Sequence, residues 1–176
     1  MNLNPLIMVI SCKKESNSWE GISKKLKGFN FLILCGGYKF GDYYFDKNIL
    51  HLNCNDFYEG LPEKVIGGFL VIEKENRFKD ISHVIKMDSN NSIPENNIQN
   101  ILLKIKSLQK YDYFGQKLTT YKGIANRKYH FGKVRKSSKW HNKEYKGDYC
   151  DWLHGGYSYC LSRKSMKIIE NEYNLT

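Results

Sequence analysis

Short apolar runs alternate with helix-length amphipathic segments along this chain, and that alternation restricts the possible fold more than any other feature. Leu6–Ser11, Phe29–Cys35 and Ile81–Met87 are nearly continuous apolar runs of strand length. Runs of this kind belong to strands covered on both faces, as in a parallel sheet between helices. Trp19, Ile22 and Leu26 share one helical face, with Ser18 as the expected N-cap. Leu61, Val65, Ile66, Phe69 and Leu70 follow at helical spacing, and Asp56 with Glu59 predicts a capping box ahead of them. Gly67-Gly68 interrupts that helix. Each glycine weakens an isolated helix by about 1 kcal/mol, so the pair is expected to allow close approach to a neighbouring element. Ile98, Ile101, Leu102, Ile105 and Leu108 give the clearest amphipathic helix, and Arg163–Tyr173 a final one. Ile49–Leu52, Tyr111–Leu118 and Tyr157–Leu161 read as further strands, and 38–48 as a Tyr-rich loop. The alternation predicts an α/β fold, a mainly parallel sheet flanked by helices.

At about 100–200 residues per domain, the 176 residues make one domain, 1–176. No apolar run approaches the roughly 18–20 residues of a membrane span. The N-terminus lacks the basic flank, apolar stretch and small-residue cleavage site of a signal peptide. The five cysteines are odd in number, and no two have CxxC spacing. They read as small buried hydrophobes and not as zinc ligands. These features together predict a cytoplasmic protein.

The formal charge is +10, with 24 Lys against 4 Arg and a single alanine, Ala125. That bias fits AT-rich coding, as in the genomes of some large DNA viruses. Location is more telling than total. Between Lys117 and Lys146 stand ten Lys or Arg and one acid, Glu144. Codon bias spreads lysine; it does not strip acids from one stretch. The region 117–146 is therefore read as a basic, loop-rich insertion. Tyr121, Tyr129, Phe131, Trp140 and Tyr145 are interleaved in it, a pattern that can bind single-stranded nucleic acid. Scarce arginine and the absence of a recognition motif make nucleic acid the weaker reading.

In open α/β sheets, ligands bind beyond the carboxyl ends of the strands. Three segments qualify: Ser11-Cys12 after the first strand, Asp88-Ser89-Asn90 after the third apolar run, and His154-Gly155-Gly156 before the last strand. None is a P-loop or a GxGxxG fingerprint, which argues against ordinary nucleotide hydrolysis and dehydrogenase chemistry. An acidic turn after a buried strand suits a divalent cation bridging a diphosphate. Read alone, the same residues also make an ordinary turn.

The order of the segments resembles one family. Asn55 to Lys64 is similar to the D-x-Y-x-x-L-x-x-K segment of galactosyltransferase- and Fringe-type glycosyltransferases. His83-Val84-Ile85-Lys86-Met87-Asp88-Ser89-Asn90 resembles their strand-K-x-D-D-D motif, and Tyr111-Asp112-Tyr113-Phe114-Gly115 their Y-x-Y-x-G strand. His154 to Ser162 resembles the G-G-G-Y-x-x-S segment near the acceptor. The resemblance implies a GT-A fold, a nucleotide-sugar donor that is usually UDP-linked, a Mn2+-type cation, and inverting transfer to a saccharide or protein hydroxyl. It implies that Ser11, Cys12, Lys86 and Asp88 bind the donor and that Asp88 and Asn90 hold the metal. His154, Gly155, Gly156 and Tyr157 fall on the acceptor side.

Two departures matter. The motif's last acid is Asn90 and its middle position is Ser89, which weakens the metal site or makes it dispensable. The family's catalytic base lies in an E-D-V segment beyond the Gly-Gly-Tyr strand, and none follows Tyr157 here. Inversion needs a base within hydrogen-bond reach of the acceptor hydroxyl. Asp148 and Asp151, just before the Gly-Gly turn, are the candidates, ahead of Glu170 and Glu172 in the predicted last helix. A glycosyltransferase-like binding protein without turnover is the alternative that these departures raise.

Overall fold

The computed structural model describes residues 3–90, 95–108, 110–115, 127–147, 153 and 155–174. Its elements run β1 (Pro5–Ile10), α1 (Ser16–Lys25), β2 (Phe31–Cys35), β3 (Tyr43–Asp46), β4 (Ile49–Leu52), α2 (Leu61–Lys74), β5 (His83–Asp88), α3 (Glu95–Leu108), β6 (Tyr113–Gly115), β7 (Ser158–Ser162) and α4 (Arg163–Asn174). The strands form one seven-stranded sheet in the order β3-β4-β2-β1-β5-β7-β6. The four central strands, β4, β2, β1 and β5, are mutually parallel. β3, β7 and β6 pair antiparallel at the flanks. The sheet is thus parallel at its centre and mixed at its edges.

Side-chain alternation along the central strands divides the core in two. Leu6, Met8 and Ile10 of β1, with Leu32 and Leu34 of β2, meet Phe69 and Ile72 of α2 and Met166 of α4. Ile7 and Val9, with Ile33 and Ile85, meet Ile22 of α1, Leu26 and Ile105 of α3. Both faces are covered, which is why β1, β2 and β5 carry no polar alternation. Gly68 is needed where α2 crosses the sheet. A methyl group there would clash with Leu34 Cδ2 and stand 3.0 Å from Met8 Sδ. No helix among the described residues is long and apolar enough to cross a membrane.

Three local expectations are corrected. The loop 38–48 contains β3, a hairpin partner of β4, turned through Lys47 at φ 53°. Tyr43 and Phe45 pack on the core while Tyr44 faces out, so an aromatic-rich strand was hidden in a polar composition. α1 starts at Ser16, and the Ser18 hydroxyl donates to Glu15 O instead of capping the helix. The Asp56/Glu59 capping box does not form. Gly60 precedes α2 without a side-chain cap, and both acids bond elsewhere. The described part of the basic region, 127–147, forms turns, with Val134 buried beneath them. Of the expected strand 111–118, Tyr113–Gly115 is extended, and 116–118 lie outside the described residues.

Candidate functional site

The connections run from β1 outward through β2 to β4, then return to place β5 on the other side of β1. Strand order therefore reverses between β1 and β5, the kind of point beside which open α/β sheets take their ligands, outside the carboxyl ends of the strands. The residues bordering it are Ser11-Cys12 after β1 and Asp88-Ser89-Asn90 at the end of β5. Ser89 N–H donates to Ile10 O at 2.9 Å, so the β5 turn is tied to β1. The buried Ser11 hydroxyl accepts from Trp19 Nε1 at 2.8 Å and donates to Glu15 Oε2 at 2.9 Å. Ser89 Oγ donates to the same carboxylate oxygen. Glu15 thus bridges the two strand ends.

A second cluster lies beside it, at the ends of β2 and β4. The Asp56 carboxylate accepts from Gly36 N–H at 2.6 Å, Lys13 N–H at 2.7 Å and Lys64 Nζ at 2.7 Å. Lys64 Nζ also donates to Ser11 O at 2.7 Å, and its side chain is 4% exposed. Burial alone would raise the Asp56 pKa. Lys64 and the two backbone donors outweigh it and hold the carboxyl below its ordinary range. Local pattern reading assigned Asp56 to a helix cap; the Asp56-to-Lys64 spacing of the resembled segment was the signal for this pair. Glu15 carries no sequence signal, since five residues past a strand is an ordinary place for a surface acid.

Lys86 joins the next two turns. Its Nζ lies 2.5 Å from Asp88 Oδ1 and 2.5 Å from Gly155 O, and the residue is 3% exposed. β7 runs antiparallel to β5 with Met87 opposite Ser158. The turn Gly155-Gly156-Tyr157 therefore arrives beside Asp88. Tyr157 is exposed there. Asp148, Asp151 and His154 lie outside the described residues. Ser11, Cys12, Lys86, Asp88, Asn90, Gly155, Gly156 and Tyr157 all sit along this one edge of the sheet.

The basic region reaches the same edge. Tyr58 Oη and His130 Nδ1 are 2.8 Å apart, and Lys133 Nζ lies 5.7 Å from the Tyr58 ring centre. Burial, with the nearby Tyr129 and Asp88, pushes the Tyr58 pKa up. Partial burial and Lys133 push the His130 pKa down, which favours the neutral imidazole. Arg135 Nε pairs with Glu59 Oε1 at 2.6 Å, and its guanidinium lies 3.6 Å over Phe57. Neither Tyr58 nor His130 was singled out from sequence as a site residue.

The groups of the Asp88-Ser89-Asn90 turn are partly engaged within the protein. Asp88 Oδ1 is held by Lys86, the Ser89 hydroxyl donates to Glu15, and Asn90 is exposed. One carboxylate oxygen and one amide oxygen of the turn remain for a hard divalent cation, whose other ligands would be substrate phosphate and water. Among the described residues, no three His, Cys, Asp or Glu converge as a metal cluster. Among the described cysteines, Cys35 and Cys160 are buried and Cys12 and Cys54 partly so. Burial, with Asp56 nearby, pushes Cys35 up to about 12, and Cys35 Sγ is 3.1 Å from His51 Nδ1. No protein-family model matches the chain and no curated protein matches it, so its residues and their geometry carry the functional reading.

Proposed function

We propose that this protein is a GT-A-type glycosyltransferase that takes a nucleotide-sugar donor, UDP-linked, in the β1/β5 crevice and transfers the sugar to a saccharide or protein hydroxyl. The observation that carries the reading is the double contact of Lys86 with Asp88 and Gly155. A donor-side turn and an acceptor-side turn, far apart in sequence, share one buried ammonium. Chemistry between two substrates needs that kind of convergence, since transfer depends on holding both in line. In the proposed reaction the acceptor oxygen attacks the anomeric carbon. The bond from that carbon to the diphosphate oxygen breaks, the nucleoside diphosphate leaves, and the acceptor proton passes to a carboxylate base. Asp148 and Asp151 remain the proposed bases, because they immediately precede the Gly155 turn in the chain. Lys86 acts here as a positioning residue. Lys13 and Lys14 are exposed cations just past the end of β1; Lys13 Nζ donates to Gly37 O at 3.0 Å and Lys14 Nζ lies 5.4 Å from the Phe57 ring centre.

A donor screen tests this. UDP, GDP and CMP sugars are added with and without Mn2+, and the melting temperature is followed. A ligand at 100 times its Kd stabilises the folded state by about 2.7 kcal/mol. That is roughly 5–11 °C for a chain of this size. The expected result is a shift with UDP-sugars that Mn2+ changes little. No shift with any donor sinks the proposal. The engagement of Asp88 by Lys86 and of Ser89 by Glu15 favours one second reading, binding without turnover. Mass-spectrometric detection of a transferred sugar eliminates it.

A further inference from the structure

Three hydrogen-bond donors meet where the basic region touches the carboxyl edge of the sheet. Two of them come from one turn. In His130-Phe131-Gly132-Lys133 the Lys133 N–H donates to His130 O at 3.1 Å, and Gly132 takes φ 74°. A positive φ at the third position is what a type II turn needs, and glycine adopts it without steric cost. The side chains at both ends of the turn reach Tyr58. His130 Nδ1 is 2.8 Å from Tyr58 Oη, and Lys133 Nζ is 5.7 Å from the Tyr58 ring centre. Lys133 Nζ also rests 3.4 Å from the centre of the Tyr129 ring. Tyr58, the third donor, opens a short 3-10 turn, Tyr58–Gly60. Its two neighbours are fixed by one residue of the basic region: Arg135 lies 3.6 Å over Phe57 and pairs with Glu59 at 2.6 Å.

The cluster is rich in protons to donate. Lys133 forms no ion pair among the described residues, while Lys128 and Arg135 are paired with Glu144 and Glu59. Partial burial and Lys133 favour the neutral imidazole of His130, and burial favours the protonated phenol of Tyr58. That pair has one proton left over in either tautomer. With the ring proton on Nδ1, the imidazole donates to Tyr58 Oη and the phenol proton is free. With it on Nε2, the phenol donates to Nδ1 and Nε2–H is free. Asp88 is the acid whose charge reaches Tyr58, and its Oδ1 is already held by Lys86. An ammonium beside a free O–H or N–H suits a compact oxyanion. Location narrows the choice. Asp88 ends β5 at the point where open α/β sheets take ligands, and the turn after it leaves few oxygens for a cation. A phosphate chain arriving there has to find positive charge on side chains.

We propose that Lys133, His130 and Tyr58 form a subsite for a diphosphate group, that of the nucleotide donor. Assigning the diphosphate to a sugar donor rests on the transferase reading; the convergence of the three donors rests on its own geometry. In transfer, the electron pair of the breaking bond between sugar and oxygen goes to the diphosphate oxygen. The three donors meet the charge that develops there, and no proton has to move.

The test is calorimetric binding of uridine, UDP and inorganic pyrophosphate to the full chain without added metal. UDP is expected to bind at least tenfold more tightly than uridine. Y58F, H130A and K133Q are each expected to weaken UDP and pyrophosphate by on the order of tenfold, the usual scale for a hydrogen bond to a charged group. K136Q removes the same charge from an exposed lysine of the same segment and is expected to stay within twofold. K133Q alters an exposed side chain, so it decides the matter even where Y58F or H130A lowers the melting temperature. Equal losses in K133Q and K136Q mean a diffuse field of the kind a polyanion would use, and they overturn the proposal. Binding unaltered by Y58F and K133Q, or no binding of either UDP or pyrophosphate, also overturns it. The donor screen separates the two readings. A donor shift that the three variants do not weaken removes this inference alone. Pyrophosphate binding that they do weaken, without any donor shift, removes the transferase reading alone.

Discussion

Asp56→Asn is the most demanding test of the edge described above. The substitution keeps the shape of the side chain and removes its charge. It leaves the Lys64 ammonium, 4% exposed, without the carboxylate charge opposite it and with neutral oxygens only, among them Ser11 O at 2.7 Å and the main-chain O of residue 56 at 3.4 Å. The Asn amide also turns an NH2 group toward one of three donors that the carboxylate now accepts from, Gly36 N–H, Lys13 N–H and Lys64 Nζ. Removing one member of a buried pair costs about 3–5 kcal/mol, because the other charge is stranded. Asp56 itself is 14% exposed, so the lower end, about 3 kcal/mol, is expected. That corresponds to roughly 6–12 °C in melting temperature for a chain of this size.

The pH dependence adds a second reading of the same group. Its folded pKa lies below the unfolded value. Its contribution is therefore fully present above the unfolded value, near 4, and is lost as pH falls through the folded value. Asp56→Asn should remove that part of the acid limb in urea unfolding followed across pH. Combining it with Lys64→Met strands no charge, so the double variant should be more stable than Asp56→Asn alone. A loss below 1 kcal/mol for Asp56→Asn, or a double variant worse than the sum of both singles, would refute the assignment of a stranded charge.

Three further outcomes are expected. Gly68→Ala should destabilise by about 1–3 kcal/mol in urea unfolding, because overpacking against Leu34 and Met8 outweighs the gain in helix propensity; a stabilised variant would show that α2 can lift off the sheet without cost. Arg135→Gln should lose about 1–3 kcal/mol by leaving the Glu59 carboxylate, 6% exposed, without its partner, while Lys136→Gln on the exposed rim should stay within about 0.5 kcal/mol; equal effects would mean that Arg135 is a surface charge like its neighbours. Burial holds the thiols of Cys35 and Cys160 at about 12 and that of Cys54 at about 11, so iodoacetamide at pH 8 should leave all three unmodified until the chain unfolds, as mass spectrometry of native and denatured samples can show.

What was legible in sequence was whatever had a one-dimensional signature. β1, β2 and β5 announced themselves because strands buried on both faces have no reason to alternate. Gly67-Gly68 pointed to a close approach, and Gly68 makes one with Leu34 and Met8. β3 was hidden because its alternation is aromatic against aromatic and acid, Tyr43-Tyr44-Phe45-Asp46, and composition alone reads that as loop. Asp56 and Glu59 satisfied a local capping rule and then obeyed longer-range partners, Lys64 and Arg135. A charge that can reach an opposite charge in a buried setting gains more than a helix cap provides. Glu15 was invisible for the opposite reason: its role depends on β1 and β5 lying side by side, which no local pattern encodes.

The two edges of the sheet differ in how they hold their loops. At the amino end of the parallel strands, near an open cavity of about 310 Å³, the contacts named are mostly neutral, such as Asn30 to Asn4 and Asn4 to Asp80 O; the Arg163–Glu73 pair ties α4 to α2 there. At the carboxyl end, Lys64–Asp56 and Lys86–Asp88 are pairs whose lysines are almost wholly buried, and Arg135–Glu59 buries its acid. Buried ion pairs are poor stabilisers, because desolvation consumes most of what attraction returns, and apolar replacements often do as well. Stability alone therefore does not explain why, among the described residues, three of the four pairs with a nearly buried member stand at this end, Arg163–Glu73 being the fourth. Each of them ties segments distant in sequence or fixes a turn: Lys64 meets the β1 end, Lys86 the Gly155 turn, and Arg135 the basic region. Fixing separate loops against one another is what a site built from several chain segments requires, and it is the physical ground for seeking the substrate at this end of the sheet.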